Sequence, residues 1–400
     1  MSEGEGLFTQ THEGGHVRHE VTGRAWLNAM LDAEAALAGA CADAGIIPTA
    51  AAEAIAAACV DPAPYDETRL GALAAKTGNP VVGLVDAIRR KLPPEFAEHV
   101  HYGATSQDIV DTAAMLAARR AISVLRNDIA ACARAAAELA ARHRDTPMVA
   151  RTLLQQAVPT TFGLKAALWL HAIGAADRRL AEVQDALPAQ LGGAAGTLAG
   201  YPDVETGWQI VQVFAARLGL AAPQFPWHTA RYPIADLAGA LATTAGILGK
   251  VSLDLVLLAQ TEVAEITLAN DERGASSSMP HKRNPVAAIA ARSAAKQAPG
   301  LAATLFAAME QEHERAAGAW HAEWLILSRL LTCTGSAAFW LRDALESIHP
   351  DEQRMAANLA TLGSKASTNS AAALVDRALD FYRLSTNQHD NVTDSHEGKS

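Results

Sequence analysis

The sequence predicts an all-α protein built as a bundle of long helices, and three observations support this fold class. Half of the 400 residues are apolar, which is enough for a large core. The prolines leave three long gaps, at residues 95–146, 234–279 and 300–349. Because an interior proline costs a helix about 3 kcal/mol, each gap can hold one long helix. Strand-forming patterns are nearly absent, so we expect these helices to pack on one another.

The first two gaps each carry an apolar seam with spacings of three and four residues, which is typical of helices that pack along their length. The first seam consists of Met115, Ala118, Ile122, Leu125, Ile129, Cys132, Ala136 and Leu139. The second consists of Ile234, Leu237, Leu241, Ala245, Leu248, Val251, Leu255 and Leu258. Segments rich in Pro, Gly and aromatic residues, at 147–163, 188–208 and 222–233, predict connections between helices.

These elements predict four regions along the chain. An N-terminal helical domain covers residues 1–105, a central long-helix bundle covers 106–345, and a short C-terminal helical region covers 346–384. Residues 385–400 are polar and carry no apolar pattern, so we expect a disordered tail.

Charge and cysteine content narrow the class of protein. The net charge of -10 argues against a general affinity for nucleic acid or for an anionic membrane surface. The four cysteines are scattered without a CxxC pair, so we expect small buried side chains in a reducing compartment rather than disulfides. The N-terminus is acidic and Gly-rich, unlike a signal peptide. We therefore expect a cytoplasmic protein without a membrane span.

The stretch GASSSMPHKRNP, residues 274–285, is the first candidate site. Asn284 followed by Pro285 predicts a helix start, with Asn284 as N-cap and Pro285 at the first helical position. Lys282 and Arg283 then lie beside a helix N-terminus, which favours a bound carboxylate. The alternative is an ordinary solvated loop with a good helix cap.

The stretch HVHYGATSQDIVDT, residues 99–112, is the second candidate site. Asp108 suits the first turn of the long helix, and Thr105 and Ser106 either cap that helix or bind an anion. His99 and His101 form an HxH pair, but no third metal ligand is near in sequence. We therefore expect no metal and interpret His101 as a hydrogen-bonding or proton-transfer group.

Two further segments are weaker signals when taken alone. RTLLQQAVPTTFG, residues 151–163, begins with Arg151 and Thr152 and continues with two amides, but a capped helix start explains it equally well. EQEHERAAGAWHAEW, residues 310–324, places Arg315 among acidic residues, and a solvated, salt-bridged helix face is the alternative.

Together and in this order, the segments resemble the fumarase/aspartase superfamily. GASSSMPHKRNP resembles its signature loop, HYGATSQDIVDT (101–112) its first block and RTLLQQAVPTTFG its second block. The resemblance runs from about residue 20 to about residue 383. It implies a homotetramer with a 20-helix core, active sites built from three subunits, a small polycarboxylate substrate and no cofactor. It also implies proton transfer at the carbon next to a carboxylate.

The resemblance also implies roles for individual residues. Ser276, the first serine of the signature loop, is the base or its conjugate proton donor. PWHTAR (226–231) and AQTEVAE (259–265) are similar to the cycloisomerases of the superfamily. The implied substrate-binding residues are His101, Thr105, Ser106, Arg151, Thr152, Gln155, Lys282 and Asn284, with Arg315, Trp227, His228 and Arg231 as further candidates.

Three departures from the superfamily pattern narrow the chemistry. Leu153 and Ile289 replace a His–Glu pair found in fumarases and many lyases, and Gln156 stands where some cycloisomerases have a His. Adding an ionised carboxylate to a double bond needs one proton transfer, whereas expelling hydroxide also needs an acid. The sequence therefore favours a lactone-forming cycloisomerase. The alternatives are a β-elimination lyase acting on a substituted succinate and a non-catalytic homologue.

Overall fold

The computed structural model describes residues 6–268, 274, 279, 282–363, 368 and 370–397. The described chain is mostly helical. Its helices are α1 (Thr9–His12), α2 (Gly23–Asp43), α3 (Thr49–Val60), α4 (Glu67–Thr77), α5 (Val81–Arg89), α6 (Pro94–Ala97), α7 (Ser106–Arg142), α8 (Phe162–Ala186), α9 (Val204–Arg217), α10 (Tyr232–Leu258), α11 (Val286–Ala295), α12 (Ala298–Ala307), α13 (Ala319–Glu346), α14 (Glu352–Ala360) and α15 (Ala371–Glu397), with a 3-10 helix at Val17–Val21.

Each of the three proline-free gaps contains one long helix, as predicted: α7, α10 and α13. Every residue of both predicted seams is buried. The helix α7 packs against α8 and α13, and α10 packs against α8, α11 and α13. Burial of the seams at spacings of three and four residues explains why these helices run side by side along their length. The all-α prediction is confirmed.

Two short antiparallel pairs interrupt the helical fold. The strands are β1 (Pro147–Thr152), β2 (Gln155–Thr161), β3 (Ile266–Leu268) and β4 (Ile348–Pro350), and β1 pairs with β2 while β3 pairs with β4. The second block therefore forms a β-hairpin rather than the predicted connection or helix start. Its two-residue turn, Leu153 and Leu154, has φ of 51° and 64°, which Asn and Gly adopt more readily than Leu.

A buried ionic network joins three helices at the beginning of α7. The guanidinium of Arg231, just before α10, donates to Asp111 of α7 at 2.7 and 3.0 Å and to Glu323 of α13 at 3.0 and 2.5 Å. The indole of Trp320 also donates to Asp111 at 2.9 Å. Arg231 is only 2% exposed. Because an unpaired buried charge is costly, this network sets how the three helices meet.

The helix ends and the tail differ from the sequence predictions in detail. The helix α11 begins at Val286, with Pro285 as N-cap and no side-chain cap, so Asn284 is not the predicted N-cap. The helix α15 continues to Glu397, where a disordered tail from residue 385 was predicted. The predicted boundaries at 105/106 and 345/346 fall within one residue of the ends of α7 and α13, while the division into domains stays a prediction. All four cysteines are buried and unpaired, as predicted.

Two helices, α10 and α13, are long and apolar enough to cross a membrane by length and composition. Both lie within the bundle, but only 44% of the most apolar window of α10 and 56% of that of α13 is buried in one chain. Buried core helices of soluble bundles have the same composition, so the absence of a membrane span stays a prediction.

Replacing Arg231 with Met should lower the free energy of unfolding by about 3–5 kcal/mol, because Asp111 and Glu323 would stay buried without their cation. Urea unfolding followed by circular dichroism measures the change. Arg217→Met is the matched control, since Arg217 pairs with Asp43 at the exposed surface and its loss should cost at most about 1 kcal/mol. Equal losses in the two variants would contradict a structural role for the network.

Candidate active site

The first block begins at a buried carboxylate, Asp108, that receives four hydrogen bonds. Its Oδ2 accepts from the backbone N–H groups of Thr105 at 2.8 Å and Gly193 at 2.9 Å. Its Oδ1 accepts from the backbone of Gly192 at 2.9 Å and lies 2.7 Å from Nε2 of His228. Thr105 is the N-cap of α7, as predicted. Asp108 therefore holds the N-terminus of the longest helix against two other loops.

A cation and a hydroxyl meet at this helix N-terminus. Arg315 donates from Nη1 to Oγ1 of Thr105 at 2.9 Å and from Nη2 to the carbonyl of Ala194 at 2.9 Å. Thr105 and Ser106 are half-buried, so both remain accessible to a small ligand. Helix N-termini favour anions, and a guanidinium adds charge-assisted donors. The structure thus brings Arg315, Thr105 and Ser106 together in an arrangement suited to a carboxylate.

His101 of the first block faces a carboxylate that the sequence did not indicate. Its Nδ1 lies 2.7 Å from Oε1 of Glu34, a residue of α2 that is 1% exposed. Burial lowers the pKa of His101, but the charge and hydrogen bond of Glu34 outweigh it, so the pKa is raised. The only sequence signal was an acidic residue inside the apolar run AEAALAGA, where a carboxylate needs a partner once buried.

His228 and Arg231 are buried beside the first block and paired with carboxylates. His228 is 4% exposed and bonded to Asp108, and Arg231 is enclosed by two carboxylates. Trp227 is also buried, with its ring 4.7 Å from the guanidinium of Arg231. The guanidinium of Arg231 and Nε2 of His228 are thus occupied by carboxylates, and contact between these residues and a substrate stays a prediction.

The second block presents its polar residues at an exposed hairpin. Arg151 makes a two-pronged ion pair with Glu265, at 2.8 Å for each pair of atoms, and Asn358 donates to the same carboxylate at 2.9 Å. This anchors the hairpin, so contact between Arg151 and substrate stays a prediction. Thr152 and Gln155 are exposed next to the turn, where a ligand or another chain can reach them.

Hydrogen bonds between Gly274 and Asn284 join the two sides of the signature loop at its base. Both the backbone N–H and Nδ2 of Asn284 donate to the carbonyl of Gly274, at 3.0 and 3.3 Å, which explains why Asn284 does not cap α11. Gly274 has a φ of 78°, and a Cβ there would lie 2.2 Å from the carbonyl oxygen of Asn284. The side chain of Lys282 is exposed. Ser276 lies outside the described residues.

The first and second blocks lie at opposite ends of α7. The first block forms the N-terminus of this 37-residue helix, and the hairpin follows its C-terminus. At 1.5 Å per residue, α7 separates them by about 55 Å. The helix α10 runs between the same two ends. Arg231 at its beginning contacts Asp111 near the N-terminus of α7, and Glu265 after its end contacts Arg151 of the hairpin. A single chain therefore cannot bring both blocks to one small ligand.

The chain resembles known proteins along most of its length. A family model described as lyase matches residues 11–300. Nitrosuccinate lyase of Streptomyces davaonensis is 47% identical over 380 residues, covering 92% of this chain and 80% of that protein. The 3-carboxy-cis,cis-muconate cycloisomerase of Bradyrhizobium diazoefficiens is 47% identical over 341 residues, covering 84% and 75%.

Solved structures agree with these sequence relatives. The crystal structure of the 3-carboxy-cis,cis-muconate lactonizing enzyme from Pseudomonas putida has a TM-score of 0.82 and 37% identity, covering 96% of this chain and 88% of that one. The fold, the order of the three blocks and the matched family model all indicate the same superfamily. The chain is an enzyme that belongs to the lyase family of the fumarase/aspartase superfamily.

Proposed function

We propose that the protein is a 3-carboxy-cis,cis-muconate cycloisomerase, which converts the tricarboxylate to carboxymuconolactone in protocatechuate (β-ketoadipate) catabolism. The observation that supports this proposal most directly is the candidate anion site at the start of α7, where Arg315 and the hydroxyl of Thr105 meet a helix N-terminus. Several of its relatives have this activity, at 40–47% identity. A substrate with three carboxylates needs several such sites, and Lys282 and Asn284 are proposed as another.

The proposed mechanism uses one proton transfer. An ionised substrate carboxylate forms a C–O bond to one carbon of a conjugated double bond, and the π electrons move to the carbon next to another carboxylate. That carbon takes a proton from Ser276, which recovers it from solvent. The carboxylate next to that carbon gains negative charge during this step. Cations bound to it therefore stabilise the transition state more than the ground state. Leu153 and Ile289, both apolar and exposed, offer no further acid, and none is needed.

The second candidate is a lyase that removes nitrite from nitrosuccinate and leaves fumarate. It is favoured by the 47% identity to nitrosuccinate lyase, which extends over 92% of this chain. In this elimination a base takes the proton next to a carboxylate, the C–N bond breaks, and nitrite carries away the electron pair. Nitrite leaves without protonation, so the missing histidine is compatible with this reaction as well.

We also propose that the active enzyme is a homotetramer with sites shared between subunits. The separation of about 55 Å between the first and second blocks supports this, since a site that uses both needs more than one copy. More than half of the most apolar window of α10 lies outside the core of one chain, and burying it between copies would be favourable. The turn residues Leu153 and Leu154, 96% and 79% exposed, would be covered in the same way.

A spectrophotometric assay separates the candidate reactions. If the protein is the cycloisomerase, the absorbance of the conjugated muconate should fall when enzyme is added. Fumarate and nitrite appearing in equal amounts from nitrosuccinate would support the second candidate instead. No change with either substrate would contradict both candidate reactions.

Ser276→Ala should reduce turnover by about 10³-fold or more, because the reaction loses its proton-transfer group. Steady-state rates, with size-exclusion chromatography to check assembly, measure the effect. Ser278→Ala in the same loop is the matched control and should keep turnover within a few fold. Near-normal rates for Ser276→Ala would rule out its assigned role.

Gly274→Ala should reduce turnover by about 10²-fold, because a Cβ would push the base of the signature loop away from Asn284 and displace the groups that the loop carries. The bundle itself should keep its melting temperature. Gly71→Ala is the control, since a Cβ at Gly71 would have no other atom within 4 Å. Unchanged kinetics for Gly274→Ala would show that the closed base of the loop is not needed.

A further inference from the structure

Glu34 and His101 form a pair that the proposed mechanism does not use. Oε1 of Glu34 lies 2.7 Å from Nδ1 of His101, and Oε2 is buried without a hydrogen-bond partner. A buried carboxylate with one unpaired oxygen costs stability. Stability alone therefore does not account for an acidic residue at this position.

The loop around His101 is held in a strained conformation. His101 has a φ of 66°, which is uncommon for a residue other than glycine. The neighbouring carbonyls of Val100 and Tyr102 accept hydrogen bonds from Arg89 at 3.2 Å and from the hydroxyl of Tyr201 at 3.3 Å. Strain that is held by surrounding contacts is typical of functional positions.

The orientation of the imidazole follows from these contacts. Nδ1 faces Glu34, which leaves Nε2 as the second donor when the ring is protonated. Across residues 6–268 and 282–363, no hydrogen bond to Nε2 is formed. The side chain of His101 is 16% exposed, so this edge of the ring is accessible, four residues before the N-cap of α7.

We propose that Glu34 is a positioning residue that holds His101 as an imidazolium, so that its Nε2–H binds a substrate carboxylate beside Thr105 and Arg315. This rests on the proposed function, because it adds a third group to the carboxylate site of a polycarboxylate substrate. A carboxylate that orients an imidazole through one nitrogen fixes the use of the other.

The charged groups around His101 predict how binding depends on pH. Glu34 of α2 and Asp108 of α7 raise the pKa of His101, while burial and Arg89 of α5 lower it, and the net shift is upward. The imidazolium is present below this pKa and is lost as the pH rises through it. Glu34→Gln removes the nearest negative charge, so carboxylate binding should be lost at lower pH than in the wild type.

Calorimetric titration of the full chain with tricarballylate, an unreactive tricarboxylate, tests the proposal between about pH 6 and about pH 9. The affinity of the wild type should fall as the pH rises. In Glu34→Gln the fall should occur at lower pH, with binding about tenfold weaker at neutral pH. His101→Gln should bind weakly at every pH. Glu34→Asp, which keeps the charge, should lie closer to the wild type.

The matched control is Glu98→Gln, because Glu98 is an exposed carboxylate 3.8 Å from His99 in the same loop. It should leave the pH dependence unchanged. A merely structural Glu34 would alter the melting temperature without moving the pH at which binding is lost. Identical pH dependence in Glu34→Gln and wild type, or no binding of tricarballylate to the wild type, would overturn the proposal. Since the test does not use turnover, it is independent of the reaction assays.

Discussion

The buried carboxylate of Asp108 is the interaction on which the first block depends. Three backbone N–H groups and one imidazole converge on its two oxygens, and because Asp108 is fully buried, loss of any of these partners would be costly. Through this residue the start of α7, the loop at Gly192–Gly193 and the segment before α10 keep one arrangement. The candidate anion site formed by Thr105 and Arg315 lies at the same helix N-terminus.

The length of α7 divides the candidate site residues between two ends of the molecule. A helix of 37 residues cannot bend back to bring its termini to one ligand. The hairpin is anchored to its own chain by Arg151 and Glu265, while Thr152 and Gln155 lie exposed on either side of its Leu153–Leu154 turn. Assembly is the route that we propose for completing a site, and the apolar residues of α10 that one chain leaves partly exposed would be buried by it.

The features that depend on local pattern could be predicted from the sequence. The seams of α7 and α10 and the N-cap at Thr105 follow from spacing and side-chain type, and the structure agrees. The features that depend on long-range pairing could not be predicted in this way. Glu34 lies 67 positions before His101, and the pairing of Arg231 with Glu323 spans 92. The hairpin was missed because each of its short strands is paired only with the other.

Mixing two inactive variants tests the shared site most directly. One carries Thr105→Val with Ser106→Ala in the first block, and the other carries Thr152→Val with Gln155→Ala in the hairpin. If sites combine blocks from different subunits, an equal mixture reassembled from dissociated chains should regain about a quarter of wild-type activity, because random assembly restores that share of sites. Activity no greater than the sum of the separate variants would contradict a site shared between subunits.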